Sequence, residues 1–165
     1  MNRLLGFYYG GFPDHRGRFL AEITRQDDLW LEVTHDYIQW LFPNRDMSPI
    51  NPQAPVITKK IRAAFIEDEL LRRHLLASFA RMLAFYGLRR REGRIVKAEN
   101  WRDRKSDWFV QPTHNDLRIT RILKCLSELG LRPEAQVFLD ALESLRDEPD
   151  CGLSETAYGH WRKAL

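Results

Sequence analysis

The sequence predicts an all-α fold in a single domain, and three observations predict it. Apolar residues recur at three- and four-residue spacing, most clearly between His114 and Leu131. Proline and glycine stand between the helical stretches, as at Pro43, Gly87, Gly130 and Pro133. Only one short strand is expected, near Arg94–Ala98. The 165 residues suffice for one domain with its own core, unstapled by disulfides or metal. An apolar fraction of 44% with 12% aromatics excludes a disordered chain.

Along the chain, Phe7 to Gly17 mixes glycines, a proline and aromatics and reads as an ordered loop or short extended piece. A short helix is expected over Arg18–Thr24. Asp27 or Asp28 is placed to cap the next, which should run to about Leu41 before Pro43 ends it. Pro49, Pro52 and Pro55 make Asn44–Pro55 a stiff extended connection laid over the surface. Thr58 is an N-cap for a helix through Phe65 or Ile66, and a longer helix from about Asp68 to Tyr86 stops at Gly87. Arg89–Pro112 lacks helical periodicity. Asn115 is placed to cap a helix ending at Gly130, and Pro133 suits the first turn of the next, through about Leu145. Ser154 and Glu155 open a last short helix. The expectation is six or seven helices with one long irregular segment carrying arginine and tryptophan.

Two segments carry the chemistry. In LWLEVTHDYIQWLFP (Leu29–Pro43), residues set about 100° apart place Glu32, His35, Asp36 and Gln39 on one polar stripe of an otherwise apolar helix. That stripe either faces water, with Glu32 and His35 as an i, i+3 pair, or closes over a polar cavity that serves as a network or ligand site. Glu-x-x-His also sets a carboxylate and an imidazole on adjacent turns, as di-iron bundles do twice. A second copy is absent, which leaves at most a single-metal site of Glu32, His35 and a further histidine such as His114.

In HNDLRITRILKCLSELGL (His114–Leu131), Ile119, Ile122, Leu123, Leu126 and Leu129 form an apolar face with Cys125 at its edge. Arg118 falls on the side expected to meet the core. A guanidinium there needs a carboxylate or several carbonyls. Glu32 or Asp36 is its expected partner, or else a bound anion. The helix amino terminus with His114 and Asn115, and Arg118 and Arg121 nearby, favours a carboxylate or phosphate.

These two blocks, in this order, resemble the hallmarks of the opioid growth factor receptor conserved region. RMLAFYGLR (Arg81–Arg89), GRIVKAENW (Gly93–Trp101) and the pair Phe7–Tyr8 extend the resemblance to about Trp161. The resemblance implies kinship with vertebrate proteins described as receptors for an enkephalin-type growth-inhibiting peptide, associated with nuclear and other membranes and continued by long repeat-rich tails. This chain shows no such tail, so a compact single-domain member of bacterial or simple eukaryotic kind is expected. The family has no agreed catalytic residues, and none is carried over.

The function expected is therefore a binding module. Glu32, His35, Asp36, Gln39, His114, Asn115, Arg118 and Arg121 would accept a small molecule or peptide through an anionic group. An enzyme using His35 and Glu32, as general base or with a metal, is the alternative. A second alternative is Arg89–Lys105, where eight basic residues against Glu92, Glu99 and Asp103 leave a local charge of +5. With Trp101 and Trp108 beside them they could hold single-stranded nucleic acid. A solvated basic loop with both tryptophans turned into the core is preferred, so nucleic acid is not the expected partner.

The net charge of +3 argues for no partner by itself. There is no Gly-rich phosphate loop, nucleophile elbow or CxxC, and no cofactor is named by the residues. Cys125 and Cys151 are expected as reduced thiols, Met1–Gly10 is unlike a signal peptide, and no stretch is apolar enough to span a bilayer. A soluble, cytoplasmic protein is the expectation.

Overall fold

Ten α-helices and one two-stranded sheet make up the chain in a computed structural model describing residues 1–165. Four short helices come first: α1 (Arg3–Tyr8), α2 (Leu20–Thr24), α3 (Asp28–Val33) and α4 (Ile38–Leu41). The proline segment leads to α5 (Lys59–Glu67) and α6 (Glu69–Phe85), then to the strands β1 (Leu88–Arg91) and β2 (Arg94–Lys97). α7 (Trp101–Arg104), α8 (Asn115–Glu128), α9 (Arg132–Ser144) and α10 (Glu155–Lys163) complete it. The fold is mainly helical, as expected. The helix count is higher because the extra pieces span only one or two turns, too short to show a period in sequence.

Most boundaries follow local chemistry. Asp27 accepts the Trp30 N–H at 2.8 Å, Thr58 that of Ile61 at 3.2 Å, and Ser154 that of Ala157 at 3.1 Å. Each satisfies an orphan donor of a first turn. Gly87 ends α6 at φ +78°, and a Cβ there would lie 2.8 Å from the Trp101 Cα. Glycine therefore both stops the helix and admits α7.

Four expectations are corrected. Phe7–Tyr8 is not loop but the end of α1, whose N-cap Asn2 accepts the Leu4 and Leu5 N–H groups. Asp28–Leu41 is not one helix: it breaks between Val33 and Ile38, with Thr34 extended at φ −98°, ψ 129°. Tyr37 donates to the Leu31 carbonyl at 2.8 Å, and Arg118 donates to those of Leu31 and Thr34. The backbone acceptors of a continuing helix are thus taken by side chains. Asn115 is not a side-chain cap; its own N–H donates to Thr113 Oγ1 at 3.1 Å, and its amide is buried for another purpose. Arg89–Pro112 is not one irregular stretch around a lone strand: the strand expected near Arg94–Ala98 is β2, and it has a partner in β1. β1 and β2 pair antiparallel around a two-residue turn, Glu92–Gly93, both with positive φ (50° and 76°). That is the backbone of a tight hairpin turn.

One hydrophobic core gathers residues from Leu4 to Ala164. α8 packs on α9 and α10, β1 lies on α6, and β2 on α9. Trp101 and Trp108 point inward, as preferred above, in an aromatic cluster with Tyr86 and Phe109. Both cysteines are free thiols, Cys125 fully buried and Cys151 partly so. No helix is long and apolar enough to cross a membrane.

Candidate functional site

α8 is amphipathic, and part of its outer face borders a groove. Asn44, Ser48, Pro49 and Ile50 of the proline segment and the short α4 face it across a groove of about 310 Å³. One wall is a ladder three residues apart on α8, Arg118, Arg121 and Lys124, with Leu117 and Thr120 beside it. Gln39, Asn44 and Ser48 lie opposite, and His35 and His114 stand at one end.

Arg118 is buried, as its place on the apolar face requires. Its partners are carbonyls: Leu31 and Thr34 at 2.8 Å each, and Glu32 at 3.4 Å. The expected carboxylate pairing with Glu32 or Asp36 does not form. The reason is the break after α3, whose last carbonyls carry the negative end of the helix dipole and have no partner within it. A planar guanidinium satisfies several at once. One nitrogen also comes within 3.5 Å of His35 Nδ1.

Arg121 donates to the Phe42 carbonyl at 3.1 Å. Burial lowers its pKa from the ordinary value, yet a guanidinium keeps its charge at neutral pH. No carboxylate lines the groove. Of those nearby, Glu32 pairs with His114 at 3.0 Å, Asp36 with Arg16 and Arg18, and Glu128 with Arg45, while Asp46 lies in the adjoining cleft beyond Lys124 without an ion pair.

Glu32 and Asn115 stand behind the His114 end. Glu32 accepts from the Asn115 amide at 3.2 Å, and Tyr86 donates to the Asn115 oxygen at 3.4 Å. The His114 ring meets His35 edge-on, centroids 5.1 Å apart. Burial lowers the His114 pKa, and the charge of Arg118 and the nearness of His35 add to that against the opposing pull of Glu32. Gln39 donates to the His35 carbonyl at 3.1 Å and accepts from Asn51 at 3.4 Å, while Asn51's N–H reaches Ser48 Oγ at 3.1 Å. This buried chain of amides ties the proline segment to α4.

Of the eight residues expected at the site, His35, Gln39, His114, Arg118 and Arg121 line the groove, and Glu32 and Asn115 support it. Asp36 does not join them. The helix break turns it toward Arg16, Arg18 and His15. Partial burial would raise its pKa, but hydrogen bonds from Arg16 and Arg18 outweigh that and lower it. Lys124, Ser48 and Asn44 were not anticipated. Lys124 was within reach, being one further step along the Arg118–Arg121 ladder, whereas no periodicity reveals residues of an extended segment.

No three His, Cys, Asp or Glu side chains anywhere in the chain are grouped to hold a metal ion. Glu32 and His114 do meet, but the Arg118 charge beside them opposes a cation. Cys125 offers no nucleophile, because burial pushes its thiol far above the ordinary range.

Asp116, on the first turn of α8, is not in the groove's lining, and its Oδ1 is buried without a partner. Burial raises its pKa to about 6. A folded-state pKa above the unfolded 3.8 means the native state holds the proton longer, so stability falls as pH rises from about 4 through 6. Asp116→Asn should raise the melting temperature at pH 7.5 and leave it nearly unchanged at pH 4. Calorimetry at the two pH values checks this; an equal shift at both would contradict it.

A mainly helical domain with basic side chains along one surface groove is what the fold and its geometry define. Residues 16–144 match the family model described as the opioid growth factor receptor (OGFr) conserved region, a span containing every residue that lines the groove. The chain is 40% identical over 148 residues to the opioid growth factor receptor of Mus musculus, covering 82% of this chain and 23% of that protein. The Homo sapiens receptor is 35% identical over 160 residues, 90% of this chain and 23% of that protein. Opioid growth factor receptor-like protein 1 of Mus musculus is 41% identical over 132 residues, 76% and 28%. The chain belongs to the opioid growth factor receptor family, through its conserved region. It spans about a quarter of the length of these relatives. No solved structure matches it.

Proposed function

We propose that this domain is a binding module whose groove takes the anionic group of a peptide or small molecule. The observation that carries the reading is the ladder of Arg118, Arg121 and Lys124 on a groove without a carboxylate. Three cations there repel one another, and an anion relieves the repulsion. Arg121 is held ready by the Phe42 carbonyl, so little side-chain freedom is lost when it binds. Ile50 and Leu117, 74% and 68% exposed, offer apolar contact on either side. The relatives' name, receptor of an opioid growth factor, supports a peptide among the ligands.

Isothermal titration with a short opioid-type peptide, once with a free carboxylate and once amidated, tests this. The free acid should bind at least about tenfold more tightly, the loss of one charge-assisted contact being worth about 1.4 kcal/mol or more. Arg121→Glu with Lys124→Glu should abolish the difference. Binding should also tighten as pH falls below 6.5 through the depressed His114 pKa, because the imidazolium adds positive charge at the groove's end. Equal affinity for acid and amide, or no binding of either, would overturn the reading.

A further inference from the structure

The hairpin poses a separate question of charge. Its register sets Arg89 opposite Val96, Arg90 opposite Ile95, and Arg91 opposite Arg94. Cross-strand partners share a face, and successive residues alternate between faces. Leu88 and Ile95 are buried, so their face lies against the protein. Arg89, Arg91 and Arg94 therefore stand together on the outward face, all exposed.

Arg91 and Arg94 are like charges directly across the ladder, an arrangement that destabilises a hairpin. Neither is in an ion pair, and the one carboxylate near Arg89 is the highly exposed Glu99 at 3.8 Å. The basic residues at the hairpin's base are different: Lys97 pairs with Glu148, Lys105 with Asp150, and Arg104 with Asp107. The tip is open, since a Cβ on Gly93 would meet nothing within 4 Å. Basic residues are thus ion-paired where the hairpin joins the body, whereas Arg91 and Arg94 have no ion pair at its outer end, although Glu92 stands in the turn and Arg94 borders a cleft with Asp140.

We propose that this face binds the phosphate backbone of double-stranded nucleic acid. Its complement is a polyanion with regularly spaced charges, and residues two apart on a strand present guanidiniums about 7 Å apart. A two-stranded ribbon is also narrow enough to enter a duplex major groove. Single strands suit the face poorly, because binding them relies on aromatic platforms and both nearby tryptophans are turned into the core. An anionic bilayer suits it poorly as well. Interfacial binders add large apolar side chains, and none of the exposed ones lies on the hairpin.

Fluorescence anisotropy with a labelled DNA duplex of arbitrary sequence, about 20 base pairs long, tests the proposal across a salt series. The logarithm of the affinity should fall against that of salt with a slope of about −2.7, the value for three neutralised phosphates. Arg91→Gln with Arg94→Gln should weaken binding at low salt by at least tenfold and flatten the slope to about −0.9. Because those changes remove the like-charge pair, the melting temperature should hold or rise, which separates lost binding from lost folding. Arg91→Lys with Arg94→Lys should keep the slope. The proposal is overturned by no binding at 50 mM salt, by a glutamine variant that binds as the parent does, by tighter binding of the single strand, or by phosphatidylserine vesicles that the duplex cannot displace.

Discussion

Replacing Arg118 by alanine should destabilise the domain by about 3 kcal/mol, read as a shift in urea midpoint at constant slope. The guanidinium joins three carbonyls of the α3 terminus, lies 5.5 Å from the Tyr37 ring centroid, and is almost wholly out of water. Alanine leaves those acceptors buried beside a cavity, and an orphaned buried acceptor costs about 1–3 kcal/mol. Arg118→Lys should recover only part, roughly half, because an ammonium cannot span carbonyls that the planar fork bridges. The loss is also functional. Arg118 holds the chain where α3 stops and α4 begins, and His35 and Gln39 take their places in the groove from that break. A cost below about 1 kcal/mol would mean that water replaces the guanidinium there.

Trp108→Ala should cost about 4 kcal/mol, the middle of the range for an aromatic removed from a packed core. The indole is fully buried against Tyr86, Trp101 and Phe109, with ring centroids 5.1, 6.0 and 5.4 Å away, and its N–H donates to the Tyr86 carbonyl at 3.0 Å. Trp108→Phe should cost less, about 2 kcal/mol, since it keeps a ring but leaves that carbonyl without its donor. Thermal and urea unfolding of both variants decide the order. Near-equal losses would place the energy in the hydrogen bond rather than in the packing.

What could be read from the residues followed the range of the interactions involved. Caps at Asp27, Thr58 and Ser154 and the stop at Gly87 are settled by neighbours a few positions away, and each was legible. The break after α3 was not, because Leu29–Pro43 is helical in pattern and the groups that interrupt it include an arginine 84 residues further on. That long-range contact also redirected Asp36, which helical geometry had put beside Gln39. β1 reads Leu-Arg-Arg-Arg, with no residue of strong strand preference after the first, so its pairing with β2 had no local signal. Arg118 itself was anticipated as buried and needing partners; which partners depended on a helix end that only folding creates.

The candidate groove was half legible for the same reason. Its α8 side is periodic and could be traced from Arg118 to Arg121, and its other wall is the proline segment, whose backbone repeats nothing. Ser48 and Asn51 are buried there by hydrogen bonds to one another and to Gln39. Composition had marked that stretch only as a surface connection.

The cationic groove is tested most directly by mapping amide and arginine side-chain resonances of the ¹⁵N-labelled domain during titration with a peptide carboxylate. Shifts should concentrate at Arg121, Lys124, Thr120 and Ser48, reach His114, and require at least about tenfold more of the amidated peptide. Shifts confined to other surfaces, or the same shifts from acid and amide alike, would contradict an anion site on the face of α8.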